Sequence, residues 1–168
     1  MKKSTRINKM RGFELVSMNE YLKKRSQKEY QEIKLPTRST VNAAGYDFFL
    51  PYEFTLLPHE SIIISTGIKA YMQKNEFLMV VIRSSLGFKK GLRLKNQVGI
   101  IDSDYYNNID NEGHILIAIE NTSNQEVHLS QGDRFAQGIF LPYLTIDHEE
   151  KIINQREGGI GSTNKKNK

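Results

Sequence analysis

Short runs rich in β-branched and aromatic residues recur along most of the chain, at 53–57, 61–65, 77–82, 114–119 and 135–141, set off by turn-forming residues. That rhythm predicts an all-β sandwich or barrel. Two stretches break it. Ser17-Met18-Asn19-Glu20 has the Ser-x-x-Glu spacing of a capping box, and the residues from Tyr21 and Leu22 onward predict one helix to about residue 30, before Pro36 stops it. Residues 85–90 predict a second, much shorter helix, closed by Gly91 where a left-handed terminal residue is favoured. From Arg156 onward, Gly158, Gly159, Gly161, Ser162, Thr163 and an Asn/Lys tail offer little apolar surface, which predicts a flexible C-terminal arm. The chain shows no internal repeat and no dividing linker. It is therefore expected to hold one β domain at 13–155, between a basic tail at 1–12 and the arm at 156–168.

Composition narrows the chemistry. There is no cysteine, which excludes disulfides, thiolate-ligated metal sites and cysteine nucleophiles. No apolar run approaches the roughly 18 to 20 residues of a membrane helix, and no signal-peptide stretch follows the basic N-terminus. A cytoplasmic protein without a membrane partner is expected. The net charge of +5 belongs to the ends: residues 1–12 carry five Lys/Arg and residues 162–168 carry three, with no acid in either. These eight leave 16 basic against 19 acidic residues between them, a body at −3. No aromatic residue interleaves with the terminal cations, so stable nucleic-acid binding is not expected.

Polar clusters sit beside the strand-like runs, where a β scaffold presents a site on its loops. In Gly99-Ile100-Ile101-Asp102-Ser103-Asp104-Tyr105-Tyr106, strand alternation would turn Asp102 and Asp104 to one side. A carboxylate there can take a proton from water, and a tyrosine ring can pack on a sugar or base. Taken alone, an ordinary acidic β-turn is the commoner reading. Arg83-Ser84-Ser85-Leu86-Gly87 opens the short helix with hydroxyls and a guanidinium that suit a phosphate; a plain Ser N-cap with a surface Arg accounts for it equally. In Gly132-Asp133-Arg134-Phe135-Ala136-Gln137, Arg134 and Gln137 could reach phosphate oxygens, although an edge-strand salt bridge is the commoner fate of such an Arg. Gly158-Gly159-Ile160-Gly161-Ser162-Thr163 is small enough to wrap phosphates but lacks a Walker A ending, and by composition alone it is a tail. His59, His114, His128 and His148 lack metal-ligand spacing and are expected at the surface or partly packed. No Gly-x-Ser-x-Gly elbow is present. If the chain is a catalyst, carboxylate-activated water with phosphate-borne Mg2+ is the chemistry that is left.

In order, Ala44-Gly45-Tyr46-Asp47 and the four segments around Arg83, Asp102, Arg134 and Gly159 resemble the five motifs of trimeric dUTP pyrophosphatases, and they span residues 44–163. The resemblance implies a jelly-roll-like subunit, a homotrimer with active sites shared between subunits, and Mg2+-dependent hydrolysis of dUTP to dUMP and pyrophosphate. Such an activity limits uracil in DNA and supplies dUMP for dTMP synthesis. Carried over by position, Asp102 would orient and deprotonate the attacking water. Tyr105 would pack on deoxyribose and disfavour a 2′-hydroxyl. Asn96, with the backbone of the same hairpin at Gly99, would read uracil. Arg83, Ser84, Ser85, Arg134 and Gln137 would contact phosphates, with Ser84 near the scissile linkage and Asp47 in support. Arg156, Gly159, Ile160, Gly161 and Ser162 would close over the triphosphate. Mg2+ would be held by phosphate oxygens and water, with no direct protein ligand.

The chain departs from the family in two places. A polar excursion from Tyr106 to Gly113 replaces a quick glycine turn, and Ile160 stands where an aromatic residue commonly covers uracil, so that either Ile160 gives an apolar cover without stacking or another aromatic, Tyr106, covers the base. The related dCTP deaminases share the fold and often Arg-Ser-Ser, but they use a strand glutamate where this chain has Ala118. A nucleotide-binding module that recruits a regulatory protein partner is the alternative of another class.

Overall fold

All five runs fold as strands in a computed structural model, which describes residues 9–151, 156 and 158. The elements in order are β1 (Gly12–Leu15), α1 (Met18–Leu22), α2 (Gln27–Gln31), β2 (Tyr46–Phe49), β3 (Phe54–Leu56), β4 (Ser61–Ser65), β5 (Ile68–Tyr71) and β6 (Glu76–Ile82). There follow α3 (Ser84–Lys90), β7 (Leu92–Leu94), β8 (Gly99–Asp102), a 3-10 turn (Ser103–Tyr105), β9 (Leu116–Asn121), β10 (Val127–Leu129) and β11 (Arg134–Pro142). The strands pair antiparallel in four small sheets, ordered β2-β11-β6-β8, β4-β9-β7, β1-β5 and β3-β10. This is the expected jelly-roll-like all-β fold. Alternation along β9 turns Ile117, Ile119 and Asn121 inward. Ile117 and Ile119 join Phe48, Leu78, Leu129 and Phe135 in a core where each large apolar side chain contributes about 1.5–3 kcal/mol by leaving water. The segment expected as a basic tail meets the body before it ends, since Arg11 pairs with Glu76 and Gly12 opens β1.

The single helix expected from residue 17 to about 30 is instead two. Ser26 takes extended backbone angles and exchanges hydrogen bonds with Glu29, a complete capping box that starts α2 anew. The box expected at Ser17 forms only in half. Ser17 Oγ accepts from the Glu20 N–H at 3.1 Å, but the Ser17 N–H donates to Glu112, 95 residues away. The buried Glu20 carboxylate pairs with Lys23 at 2.6 Å and faces His114 at 3.6 Å. The short helix appears almost as expected, from Ser84, closed by Gly91 at φ 65°. Its cap is Arg83, with no side-chain capping bond, so the plain Ser N-cap does not hold.

His114 corrects the surface expectation for the histidines, being buried at 2% exposure. The Gly67 N–H donates to its Nε2 at 2.9 Å, which leaves the ring proton on Nδ1, facing Glu20. Burial pushes the imidazole pKa below 6.5 against the opposing pull of Glu20. An unfolded chain takes up this proton near pH 6.5 and the folded chain does not, so stability falls with pH through that value until the folded pKa is reached. Unfolding free energy measured in urea is expected to drop by at most about 1.4 kcal/mol between pH 7.5 and 5.5. His114→Gln is expected to flatten the profile; an unchanged slope in that variant would assign it to other groups.

Candidate active site

The strand β8 pairs with β6, Asp102 lying opposite Phe77, and the turn after it bounds a cavity of about 340 Å3. Asn96, Gly99, Asp102, Tyr105 and Arg156 all line it, so the expected hairpin residues are brought together. Strand alternation does not continue past Asp102, because Ser103–Tyr105 winds into the 3-10 turn. The two carboxylates nevertheless converge on one guanidinium. Arg156 Nη2 donates to Asp102 Oδ2 at 2.5 Å and its Nε to Asp104 Oδ1 at 2.8 Å, with the guanidinium carbon 5.8 Å from the Tyr105 ring centre. Half-exposed acids in such a pair gain little net energy, so an anion of higher charge can draw the guanidinium away. Ala118 also lines the cavity.

The phosphate candidates gather around Asp47, which is 1% exposed. Its Oδ2 accepts from Arg134 Nη1 at 3.2 Å and its Oδ1 from Gln137 Nε2 at 3.2 Å, while Arg83 Nε lies 3.1 Å from Oδ1 as an ion pair. One buried carboxylate thus orients two guanidiniums and an amide, and Ser84 and Ser85 stay exposed beside them. A Cβ on Gly45 would lie 3.1 Å from Gln137 Oε1, so the glycine leaves room for that side chain. The salt bridge of Arg134 forms, but on a strand flanked by β2 and β6 and not on an edge.

These two clusters stand at opposite ends of β6. Asp102 is paired at Phe77 and Arg83 follows Ile82, so about six residues of strand, roughly 20 Å, separate them. A general base must come within about 3 Å of the water it deprotonates. One chain therefore does not present both clusters to one phosphate.

The excursion after Tyr105 is ordered, and it removes Tyr106 as a cover for a base. The Tyr106 hydroxyl donates to Glu14 at 2.6 Å and its ring packs edge-on against Tyr71. Asn111 and His114, neither expected to matter, both meet the Tyr105 hydroxyl: Asn111 Nδ2 donates to it at 2.8 Å, and it donates to the His114 carbonyl at 3.0 Å. Only the Ser-x-x-Glu and Asp-Tyr spacings were visible beforehand, and neither points to this contact. Gly158 is buried, while Gly159, Ile160, Gly161 and Ser162 lie outside the described residues.

A family model described as dUTPase matches residues 31–164. The deoxyuridine 5'-triphosphate nucleotidohydrolase of Lactococcus lactis subsp. lactis is 44% identical over 158 residues, covering 92% of this chain and 98% of that relative. The protein of the same description from Histophilus somni is 34% identical over 142 residues, covering 80% and 90%. Among solved structures, a dUTPase from Streptococcus mutans superposes with a TM-score of 0.67 at 43% identity, covering 81% of this chain and 98% of that one. The dUTPase of Staphylococcus aureus phage phi11 shares the fold, with a TM-score of 0.65 at 20% identity over 89% and 99%. A family match over most of the chain, relatives aligned over nearly their whole length and the same β framework together establish that this chain belongs to the dUTPase family.

Proposed function

We propose that this chain hydrolyses dUTP to dUMP and pyrophosphate in the cytoplasm, by attack of a water activated by Asp102 on the α-phosphorus, and so limits uracil in DNA while supplying dUMP for dTMP synthesis. The observation that carries the reading is the cavity itself, with Asp102 at its rim, Tyr105 in its wall and Ala118 where a deaminase needs a carboxylate. Uracil is held by Asn96 and the hairpin backbone at Gly99, and deoxyribose packs on the Tyr105 ring. Asp102 takes a proton from the water, the water oxygen forms its bond to the α-phosphorus, and the bond to the α–β bridging oxygen breaks, releasing pyrophosphate. Arg83, Ser84, Ser85, Arg134 and Gln137 bind the phosphates, oriented from behind by Asp47. Arg156 transfers from Asp102 to the triphosphate, which frees the base and places positive charge where negative charge develops. The arm at 156–168, with Gly159, Ile160, Gly161 and Ser162, closes over the phosphates.

No group of three or more acidic or histidine side chains among the described residues is arranged to cage a metal. Mg2+ would be held by phosphate oxygens and water, and would supply charge neutralisation at the triphosphate. The roughly 20 Å between Asp102 and Arg83 supports sites assembled between copies, in a homotrimer.

Pyrophosphate release tests the reading. Catalytic efficiency with dUTP is expected to exceed that with UTP, dTTP and dCTP by at least about tenfold each, and to collapse when EDTA removes Mg2+. Ammonia release from dCTP would identify a deaminase, and tight dUTP binding without turnover a regulatory module.

A further inference from the structure

The excursion from Tyr106 to Gly113 is built as a clamp on Tyr105. Asn108 Nδ2 donates to the Tyr105 main-chain oxygen and to Asn111 Oδ1, both at 2.8 Å. The Asn108 Oδ1 atom accepts from the N–H groups of Asp110 and Asn111, and Asn111 Oδ1 accepts from the Gly113 N–H. Gly113 sits at φ 83°, where a Cβ would lie 2.6 Å from the Tyr105 oxygen, so only glycine lets the loop close this tightly. Glu112 anchors the loop to the start of α1 through the Ser17 N–H at 2.9 Å and hydroxyl at 2.5 Å. Lys69 holds it from β5 through Asn107 at 2.7 Å.

At the far end of this clamp, the Tyr105 hydroxyl accepts from Asn111 and donates to the His114 carbonyl. The phenol is thereby fixed at its tip as well as at its main chain, with 9% of the residue exposed. What is left for the cavity is the ring, an apolar face whose hydroxyl is already engaged. Such a face gives a sugar 2′-hydroxyl no partner, and it rejects one only while it cannot swing aside.

We infer that Asn111 is a positioning residue, which pins the Tyr105 ring against the sugar and so lets the excursion set the discrimination between deoxyribose and ribose. The inference rests on the reading that Tyr105 packs against the sugar. Burial raises the Tyr105 pKa, and the Asn111 donor opposes that rise, so the contact has its own titration signature.

The test is the ratio of kcat/KM for dUTP to that for UTP. Asn111→Leu is expected to lower it about tenfold through faster UTP turnover, Tyr105→Phe to lower it as much, and the double variant no further, because both remove one contact. An unchanged ratio in Asn111→Leu beside a lowered one in Tyr105→Phe, or additive losses in the double variant, overturns the inference and leaves Tyr105 as the sugar contact. An unchanged ratio in Tyr105→Ala overturns the underlying reading as well. Should Asn111→Leu not fold, Asn111→Asp keeps the acceptor for the Gly113 N–H but loses the donor to the phenol. Its Tyr105 resonance, assigned by 13C-tyrosine NMR against Tyr105→Phe, is expected to titrate at higher pH than in the unmodified chain. An unshifted titration overturns the inference.

Discussion

Asp102→Asn is expected to bind dUTP and to turn it over at least about a thousandfold more slowly, the scale of a lost general base. The amide keeps the shape of the carboxylate and can still accept from Arg156, but it does not take a proton from water near neutral pH. The loss should therefore fall on kcat, while calorimetry with dUMP shows an affinity close to that of the unmodified chain. Since Asp102 is half exposed at the end of β8, thermal unfolding should change little. A folded variant with turnover near the unmodified level would remove Asp102 from the mechanism.

The second expectation is complementation between two disabled chains. Arg83→Gln should lose at least about a hundredfold in turnover, because a charge-assisted phosphate contact becomes a neutral one. Mixed alone with more of itself, neither this variant nor Asp102→Asn has an intact site. Co-refolded in equal amounts they do, if each site takes Asp102 from one chain and Arg83 from the next. Random assembly then gives about a quarter of the sites both intact parts. Activity near that fraction, appearing only in the co-refolded sample and with particles of one trimeric size by light scattering, is the expected result. No recovery from two well-folded variants would require both clusters to come from one chain, against their places at the two ends of β6.

Local pattern carried the β architecture a long way. The runs at 61–65 and 77–82 became β4 and β6 with ends within a residue of the pattern, because side-chain alternation and turn residues act over a few positions. Strands of three residues such as β7 and β10 are too short to show a period, and their pairing with β9 and β3 decides them. The split between α1 and α2 was half legible: Ser26-x-x-Glu29 has the same spacing as Ser17-x-x-Glu20. Which box closes depends on Glu112 and His114, far along the chain, drawing on Ser17 and Glu20. The site shows the same division. The residue types around Asp102 and Arg83 were visible as motifs, whereas the clamp of Asn108, Asn111 and Glu112 on Tyr105 rests on a turn and on a contact across 95 residues that no local signal encodes.

The β6 strand also acts as a ruler. Strand length changes only in whole residues, each adding about 3.3 Å and turning every later side chain to the opposite face. One residue gained or lost between Phe77 and Ile82 would shift Arg83 relative to Asp102 and also reverse Leu78 or Val80 out of the core. Length variation in this fold is therefore confined to places outside that span. The segment between Tyr106 and Gly113 is such a place, since it leaves one sheet after Asp102 and leads into another at β9 without altering the distance between the two ends. Insertions there are free to differ in size and chemistry while the spacing between Asp102 and Arg83 stays constant.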